Sequence, residues 1–359
     1  MSKRRWTDWG AAALAALAAG AGCASLGPAS IVRDRVDYSE SIADSWKRQT
    51  LTNILRLRYM DTPIFLDVSS VVASYGVGAN VGANANVNTQ GSPAVPSVGV
   101  SGAANWASNP TITYVPLTGS KFLRGLLDPV PPSTVLYLIQ VGYPADFILE
   151  LGVESIGGLR NRSDHAGEET KADPEFLRLA MLLRRIQERR GIALRVEDTA
   201  DKQQTVTFLF RREALTEEAI REIAEVKDLP SLARDRDQFK LVFSPVRTRP
   251  DELAVNSRSM LQMMGALATF VDVPERDVAE GRATRAPDTR QWLHPLLRVS
   301  AGAAPPDDAF VSVQYRNHWF WIDDRDWRSK RTFSTVLFMF TLADTDVGAR
   351  LPVITIPVR

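Results

Sequence analysis

The chain offers few side chains that could do chemistry: three histidines, His165, His294 and His318, and one cysteine, Cys23. His165 falls in a polar stretch, His294 precedes a proline and His318 falls at an expected turn. None stands at the His-x-x-x-His spacing, or beside the Glu, that builds a metal site on a helix. Asp323, Asp324 and Asp326 are close enough in sequence to bind calcium, which takes carboxylate oxygens. Their spacing lacks the terminal Glu of a calcium loop, and Arg325, Arg328, Lys330 and Arg331 would neutralise them, so helix capping and local ion pairs are expected. A Gly-x-Ser-x-Gly elbow and a phosphate loop are absent. Gly76-Val77-Gly78 lacks the strand–turn–helix setting of a nucleotide fingerprint, because more alternating strand follows it. Arg184, Arg185, Arg189 and Arg190 form a basic run whose plain reading is a solvated helix face, the alternative being a patch for lipid headgroups. The expectation is a non-enzyme with no catalytic residue, no metal and no cofactor.

The cysteine points to a compartment instead. Lys3, Arg4 and Arg5 precede a short apolar stretch, Gly10 to Gly22, close to the roughly 7–15 residues of an export signal's apolar region. It ends in Gly20-Ala21-Gly22-Cys23, which resembles the lipobox of bacterial lipoprotein precursors, with Gly20 where that motif usually has Leu. The resemblance implies a signal peptide over 1–22, cleavage before Cys23 and lipid on its thiol; plain secretory cleavage and a membrane-anchored N-terminus are the alternatives. Inner-membrane lipoproteins of many enteric bacteria carry Asp after the cysteine, so Ala24 implies the outer membrane, with the body in the periplasm. One cysteine allows no disulfide within the chain. A net charge of +1 gives no electrostatic case for nucleic acid. No run of about 18 apolar residues follows the first 25, so no later membrane helix is expected.

Residues 71 to 115 carry no charged side chain and alternate between apolar and small polar residues. Val71, Ala73, Tyr75, Val77, Ala79, Val81, Ala83, Ala85 and Val87 occupy the odd positions, with Gly, Asn and Ser between them except at Val72. After a turn-like segment, Thr89 to Pro96, the parity switches: Val98, Val100, Gly102, Ala104 and Trp106 alternate with Ser97, Gly99, Ser101, Ala103 and Asn105. Period two is the signature of a strand with two different faces, and two such arms around a Gly/Pro turn predict a hairpin. A Gly/Ala/Asn linker and a hairpin lying over a soluble domain are the competing readings. A linker has no reason to keep period two, and an exposed soluble edge normally carries Lys or Glu against unwanted pairing. The arms Gly76 to Asn88 and Ser97 to Asn109 are equally long, and a tilted strand crosses a bilayer in about 9–11 residues.

The surrounding elements must hold this hairpin. A helix is expected over Asp37 to Met60, with Asp37 and Glu40 at capping-box spacing and Pro63 beyond its end. A short helix lies within Leu117 to Pro132, apolar elements span Ser133 to Val141 and Phe147 to Ile156, and Asn161 to Lys171 reads as a polar loop. Asp173-Pro174 starts a helix that Gly191 ends. Strands at Ile192 to Glu197 and Thr205 to Arg211, a helix capped by Thr216 and a strand at Phe239 to Phe243 follow. Asp251 to Val271 reads as one long helix with Met260, Met263 and Met264 as core filler. A hairpin around Arg316-Asn317-His318, a helix capped by Asp324 and a strand at Val353 to Val358 close the chain. Three segments, Ser45 to Val68, Thr111 to Pro132 and Tyr315 to Phe340, resemble a family of exported bacterial proteins; the resemblance carries no site residues.

The fold class expected is α+β: a periplasmic mixed body with an inserted long amphipathic β-hairpin. The divisions are 23–36 as lipid anchor and linker, 37–70 with 111–172 as the first part of the body, and 71–110 as the hairpin. A small αββαβ module over 173–246 and a C-terminal part over 247–359 complete it. One hairpin cannot satisfy its own edges in lipid. Crossing a membrane therefore demands a homo-oligomer that closes a barrel. Asn80, Asn84, Asn86, Asn88, Ser101, Asn105 and Asn109 would line its pore. Val77, Ala79, Val81, Ala83, Ala85, Val87, Val98, Val100 and Trp106 would face lipid. The expected function is passage or export of a substrate through that pore, with the membrane, further copies of the chain and other envelope proteins as partners. The alternative is a non-catalytic periplasmic binding or scaffold module.

Overall fold

The computed structural model describes residues 28–72, 75–87, 96–108, 111–117, 120–165, 168–198, 204–212, 215–285 and 295–343. The chain is α+β and divides into two compact units, Ile64–Thr118 and the remainder.

The larger unit opens with α1 (Pro28–Arg58), whose Leu51, Ile54 and Leu55 are fully buried. The helix is described from Pro28 onward, so Asp37 and Glu40 lie inside it and form no capping box. Met60, at φ 59°, takes the left-handed conformation that ends helices, and Pro63 bars continuation. Next come α2 (Ser120–Leu127), α3 (Pro132–Gln140) and α4 (Ala145–Gly152), the last running directly into β5 (Val153–Ile156). After β6 (Leu159–Arg160), the expected polar loop holds two three-residue strands, β7 (Ser163–His165) and β8 (Glu168–Thr170). Strands that short leave no period to read.

From 173 to 246 the order is α5 (Pro174–Glu188), β9 (Ile192–Asp198), β10 (Gln204–Phe210), α6 (Glu217–Asp228) and β11 (Gln238–Phe243). Gly191 packs so tightly that an added Cβ would lie 2.6 Å from Ile186 Cγ2, and the Thr216 hydroxyl accepts the Ala219 amide at 3.4 Å. The sheet continues beyond these strands, in the order β6-β5-β12-β11-β10-β9, with only β11–β12 parallel.

The expected helix from Asp251 to Val271 is corrected by β12 (Glu252–Ser257), a central strand with Leu253, Ala254 and Val255 buried. A short apolar run does not tell a buried strand from a helix by periodicity. The helix proper, α7 (Met260–Ala268), starts only after Ser259, whose hydroxyl and the Gln262 side chain form a capping box. Met260, Met263 and Met264 are fully buried, and α7 packs against α1.

The chain goes on through α8 (Glu275–Ala279) to a three-stranded sheet, β13 (Ser300–Gly302), β15 (His318–Asp323) and β14 (Ala309–Tyr315), in that spatial order. Arg316 and Asn317 form the β14–β15 turn with φ of 47° and 65°. In α9 (Trp327–Ala343) the cap is Asp326, not Asp324: Asp326 Oδ1 accepts the Ser329 amide at 3.1 Å, while Asp324 pairs with Lys330 at 2.5 Å. The expected strand at 353–358 lies outside the described residues.

The smaller unit consists of β1 (Leu66–Val72), β2 (Tyr75–Val87), β3 (Pro96–Ser108) and β4 (Thr111–Pro116). β2 pairs with β3 and β1 with β4, both antiparallel. The two ladders share one register: stepping three residues outward from Tyr75↔Ser108 on each strand lands on Val72↔Thr111. The register then shifts once, by a single residue, between Val68 and Ser70.

Candidate functional site

Partners directly opposite in an antiparallel ladder belong to the same face. The register pairs Val77 with Trp106, Ala79 with Ala104, Ala83 with Val100 and Ala85 with Val98, while Val81 meets Gly102 and Val87 meets Pro96. The alternate pairs are Gly78 with Asn105, Asn80 with Ala103, Gly82 with Ser101, Asn84 with Gly99 and Asn86 with Ser97. The switch of parity between the arms is what lets one register set the valines of both arms, and Trp106, on one side, with Ala103 and Ala107 on the other. Asn80, Ser101 and Asn105 are exposed. Cys23, Asn88 and Asn109 lie outside the described residues.

The shift between Val68 and Ser70 had no reading in the sequence, where simple alternation breaks down at Ser69-Ser70. A bulge sets two residues against one and so reverses the facing of everything beyond it. Leu66 and Val68 thereby fall opposite Pro116 and Tyr114, on the same side as Val71↔Ile112 and Val77↔Trp106. By register, Leu66, Val68 and Val71 on β1 therefore have the facing of Val77 to Val87 on β2. Asp67, opposite Val115, joins the side of Ser70↔Thr113 and Asn80↔Ala103.

Among the described residues this ladder is two strands wide. Every residue of β4 is exposed, and among the described side chains of Ile64–Thr118 only Phe65 is buried. Leu66, Ile112, Tyr114 and Val115 are between 41% and 55% exposed. An isolated two-stranded ribbon is at best marginally stable in water. At about 3.3 Å per residue, the 13 residues of β2 extend roughly 43 Å, which at 45° matches the approximately 30 Å hydrocarbon core.

In the larger unit, the residues just before the ribbon are held by a polar network. Tyr59 Oη donates to Asp277 Oδ2 at 2.7 Å, and Arg58 Nη2 donates to the Thr284 carbonyl at 2.7 Å. Asp61 accepts from the Tyr315 hydroxyl and, at 2.9 Å, from Arg316 Nη2. The Arg316 guanidinium also sits 4.9 Å from the Tyr59 ring centre. Burial, then the Asp277 hydrogen bond, hold the Tyr59 phenol well above the ordinary tyrosine range. The Tyr315 and Arg316 hydrogen bonds hold the Asp61 carboxyl low. The network fastens the end of α1 to α8 and to the β14–β15 turn.

The other sequence candidates are spent locally. Asp323 accepts the Arg325 amide at 2.8 Å, alongside the ion pair of Asp324 and the cap of Asp326. Arg184 pairs with Glu188 on its own helix, while Arg185 and Arg189 reach Glu222 on α6 at 3.2 and 2.6 Å. His165 ends β7 opposite Glu168, and His294 lies outside the described residues. His318 borders a shallow cavity of about 540 Å³ with Asn317, Asp272 and Gly302. Among the described residues no three His, Cys, Asp or Glu side chains are grouped to hold a metal ion, and no helix is long and apolar enough to cross a membrane. Compared with known families, with curated proteins and with solved structures, the chain matches none.

Proposed function

We propose that this chain is an outer-membrane lipoprotein, anchored through Cys23, that oligomerises and contributes one β-hairpin per subunit to a barrel pore for passage of a substrate. The observation that carries this reading is the common register of the two ladders, which gives Leu66, Val68 and Val71 on β1 the facing of Val77 to Val87 on β2. In such a barrel Val77, Ala79, Val81, Ala83, Ala85, Val87, Val98, Val100 and Trp106 face lipid. Asn80, Asn84, Asn86, Asn88, Ser101, Asn105 and Asn109 face water, in the apolar-out, polar-in manner of membrane strands. The open edges of β2 and β3 carry unpaired amides and carbonyls that lipid does not satisfy. Neighbouring copies therefore supply the missing ladders, and a closed ring leaves no edge.

The test uses the full-length lipidated chain and a variant lacking residues 76–109, compared in planar bilayers and by electrophoresis in mild detergent. Wild type is expected to give detergent-resistant oligomers and conductance, both lost in the deletion. Asn84→Cys should react with a water-soluble thiol reagent in liposomes, and Ala83→Cys should not. A wild-type chain that stays monomeric in detergent, never conducts, and labels equally at both positions overturns the pore and leaves a periplasmic binding or scaffold module.

A further inference from the structure

We infer that the first turn of α9 forms a binding site for the phosphate of an anionic lipid headgroup, with Arg331 and Arg328 holding the phosphate, Arg184 as a supporting charge and Trp327 seated among the headgroups. The choice of a lipid rests on the anchoring at Cys23 proposed above; the arginine cluster stands without it. By sequence, Arg325, Arg328, Lys330 and Arg331 would all neutralise Asp323, Asp324 and Asp326. The structure divides them otherwise. Arg325 pairs with Asp308 and Lys330 with Asp324, each at 2.5 Å, while Asp326 is taken up as the cap on Ser329. Arg328 and Arg331 are left over, and among the described residues neither has a carboxylate at ion-pair distance.

Rings hold Arg331 instead. Its guanidinium lies 4.2 Å from the ring centre of Phe147 on α4 and 5.0 Å from that of Trp327, one helical turn before it. Phe147 is buried and Trp327 is 65% exposed, so the cation sits where the core meets the surface. Stacking engages the faces of a guanidinium and leaves its edge, with the N–H donors, for an anion. Its Nε is buried without a hydrogen-bond partner, and no hydrogen bond holds Nη1 or Nη2 among the described residues. Burial above all pulls the Arg331 guanidinium below its ordinary range; Asp146 acts against that, and the charges of Arg328 and Arg184 add to it. Arg328 is exposed and three residues from Arg331, on the same side of the helix. Arg184, on α5, already pairs with Glu188. Against these three cations stand Asp146 and Glu188, so one positive charge remains over, the complement of a single phosphodiester. An exposed Trp beside arginines suits the membrane interface, where the indole sits at headgroup depth and cations meet phosphates. A patch this small binds weakly alone. A chain tethered to the same membrane meets the headgroups at high effective concentration, so weak contacts suffice to hold its body against the surface.

The experiment places full-length lipidated chain on vesicles of phosphatidylcholine alone or mixed equally with phosphatidylglycerol. Lipid blocks the thiol of Cys23, so Ser334→Cys, exposed on the same side of α9, takes an environment-sensitive dye by itself. The dye should report contact on the mixed vesicles and much less on phosphatidylcholine. Arg328→Gln and Arg331→Gln should each weaken the contact about fivefold, the effect of one basic side chain near an anionic surface. Arg328 is exposed, so its variant leaves the fold intact. Arg325→Gln should change nothing, and salt near 1 M, where screening shortens to about 3 Å, should abolish the contact. Equal contact for wild type, Arg328→Gln and Arg331→Gln would overturn the site. Inorganic phosphate that displaces the dye signal at matched ionic strength, with no preference for phosphatidylglycerol, would overturn the lipid in favour of a phosphate in solution. A wild type that washes off phosphatidylcholine vesicles overturns the anchoring at Cys23, and the choice of a lipid with it.

Discussion

Arg258 is a buried cation that ties together three segments of the larger unit. It is 2% exposed, and its Nε donates to Glu154 Oε2 at 2.8 Å, while Nη1 and Nη2 donate to the carbonyls of Glu150 and Arg162. These contacts satisfy the end of α4, where carbonyls lack helical partners. Arg258→Met should destabilise the protein by about 3 kcal/mol, because one partner of a buried pair is removed and the other remains. Urea titration would measure this, and Glu154→Gln added to Arg258→Met should recover part of the loss. Glu150 offers a pH-dependent counterpart. Burial, and then the Asp146 carboxylate one turn earlier, push its carboxyl to about 7. The folded chain thus holds a proton that the unfolded chain releases between the ordinary carboxylate range and about 7. Stability from this group is full below that window and falls as pH rises through it. Glu150→Gln should remove that slope, stabilising the protein by about 3 kcal/mol at pH 8 and leaving it unchanged near pH 4. Equal urea midpoints for wild type and variant at pH 8 would contradict this.

Turns and bulges decide more than strands do at the scale of elements. The β14–β15 hairpin is legible from its two apolar arms around Arg316-Asn317-His318. Only the structure shows that Arg316 and Asn317 both take positive φ, as the tight turns that match strand twist require. Asn317→Gly should be tolerated, whereas Asn317→Val should cost about 1–2 kcal/mol, since β-branched residues are strained there. Thermal melting would separate the two. α5 shows the opposite balance: Asp173-Pro174 at its start and Gly191 after its end name the helix without help from tertiary contacts. The strand β12 shows why such signals fail elsewhere. Leu253-Ala254-Val255 sits between parallel β11 and antiparallel β5, and burial on both faces erases the alternation that would have marked it.

Across the whole molecule, the two units differ in what stabilises them. The larger has a core of Leu51, Ile54, Leu149, Phe176, Phe239, Met263 and Phe320, all fully buried. The smaller contributes Phe65 alone among its described side chains. Removing residues 76–109 should therefore shift the unfolding midpoint of the larger unit by no more than about 2 °C, because no core side chain of that unit is lost. Calorimetry on both chains would check it, and a fall of 10 °C or more would mean that the ribbon supports the body. A conducting ring would also make the ribbon's own order depend on protein concentration, as association stabilises only the assembled state.

The sequence by itself determined the alternating arms, their switched parity and their lack of charge, because side-chain period in a strand is a local property. It also determined α5, the β14–β15 hairpin and the methionine-filled interior of α7. Tertiary structure alone decided the common register of the two ladders and the bulge that aligns Leu66 with Val71. It also decided the strand β12 and the network joining Tyr59 and Asp61 to residues more than 200 positions away. Register and long-range partners depend on which segments meet, and no spacing within one segment records that.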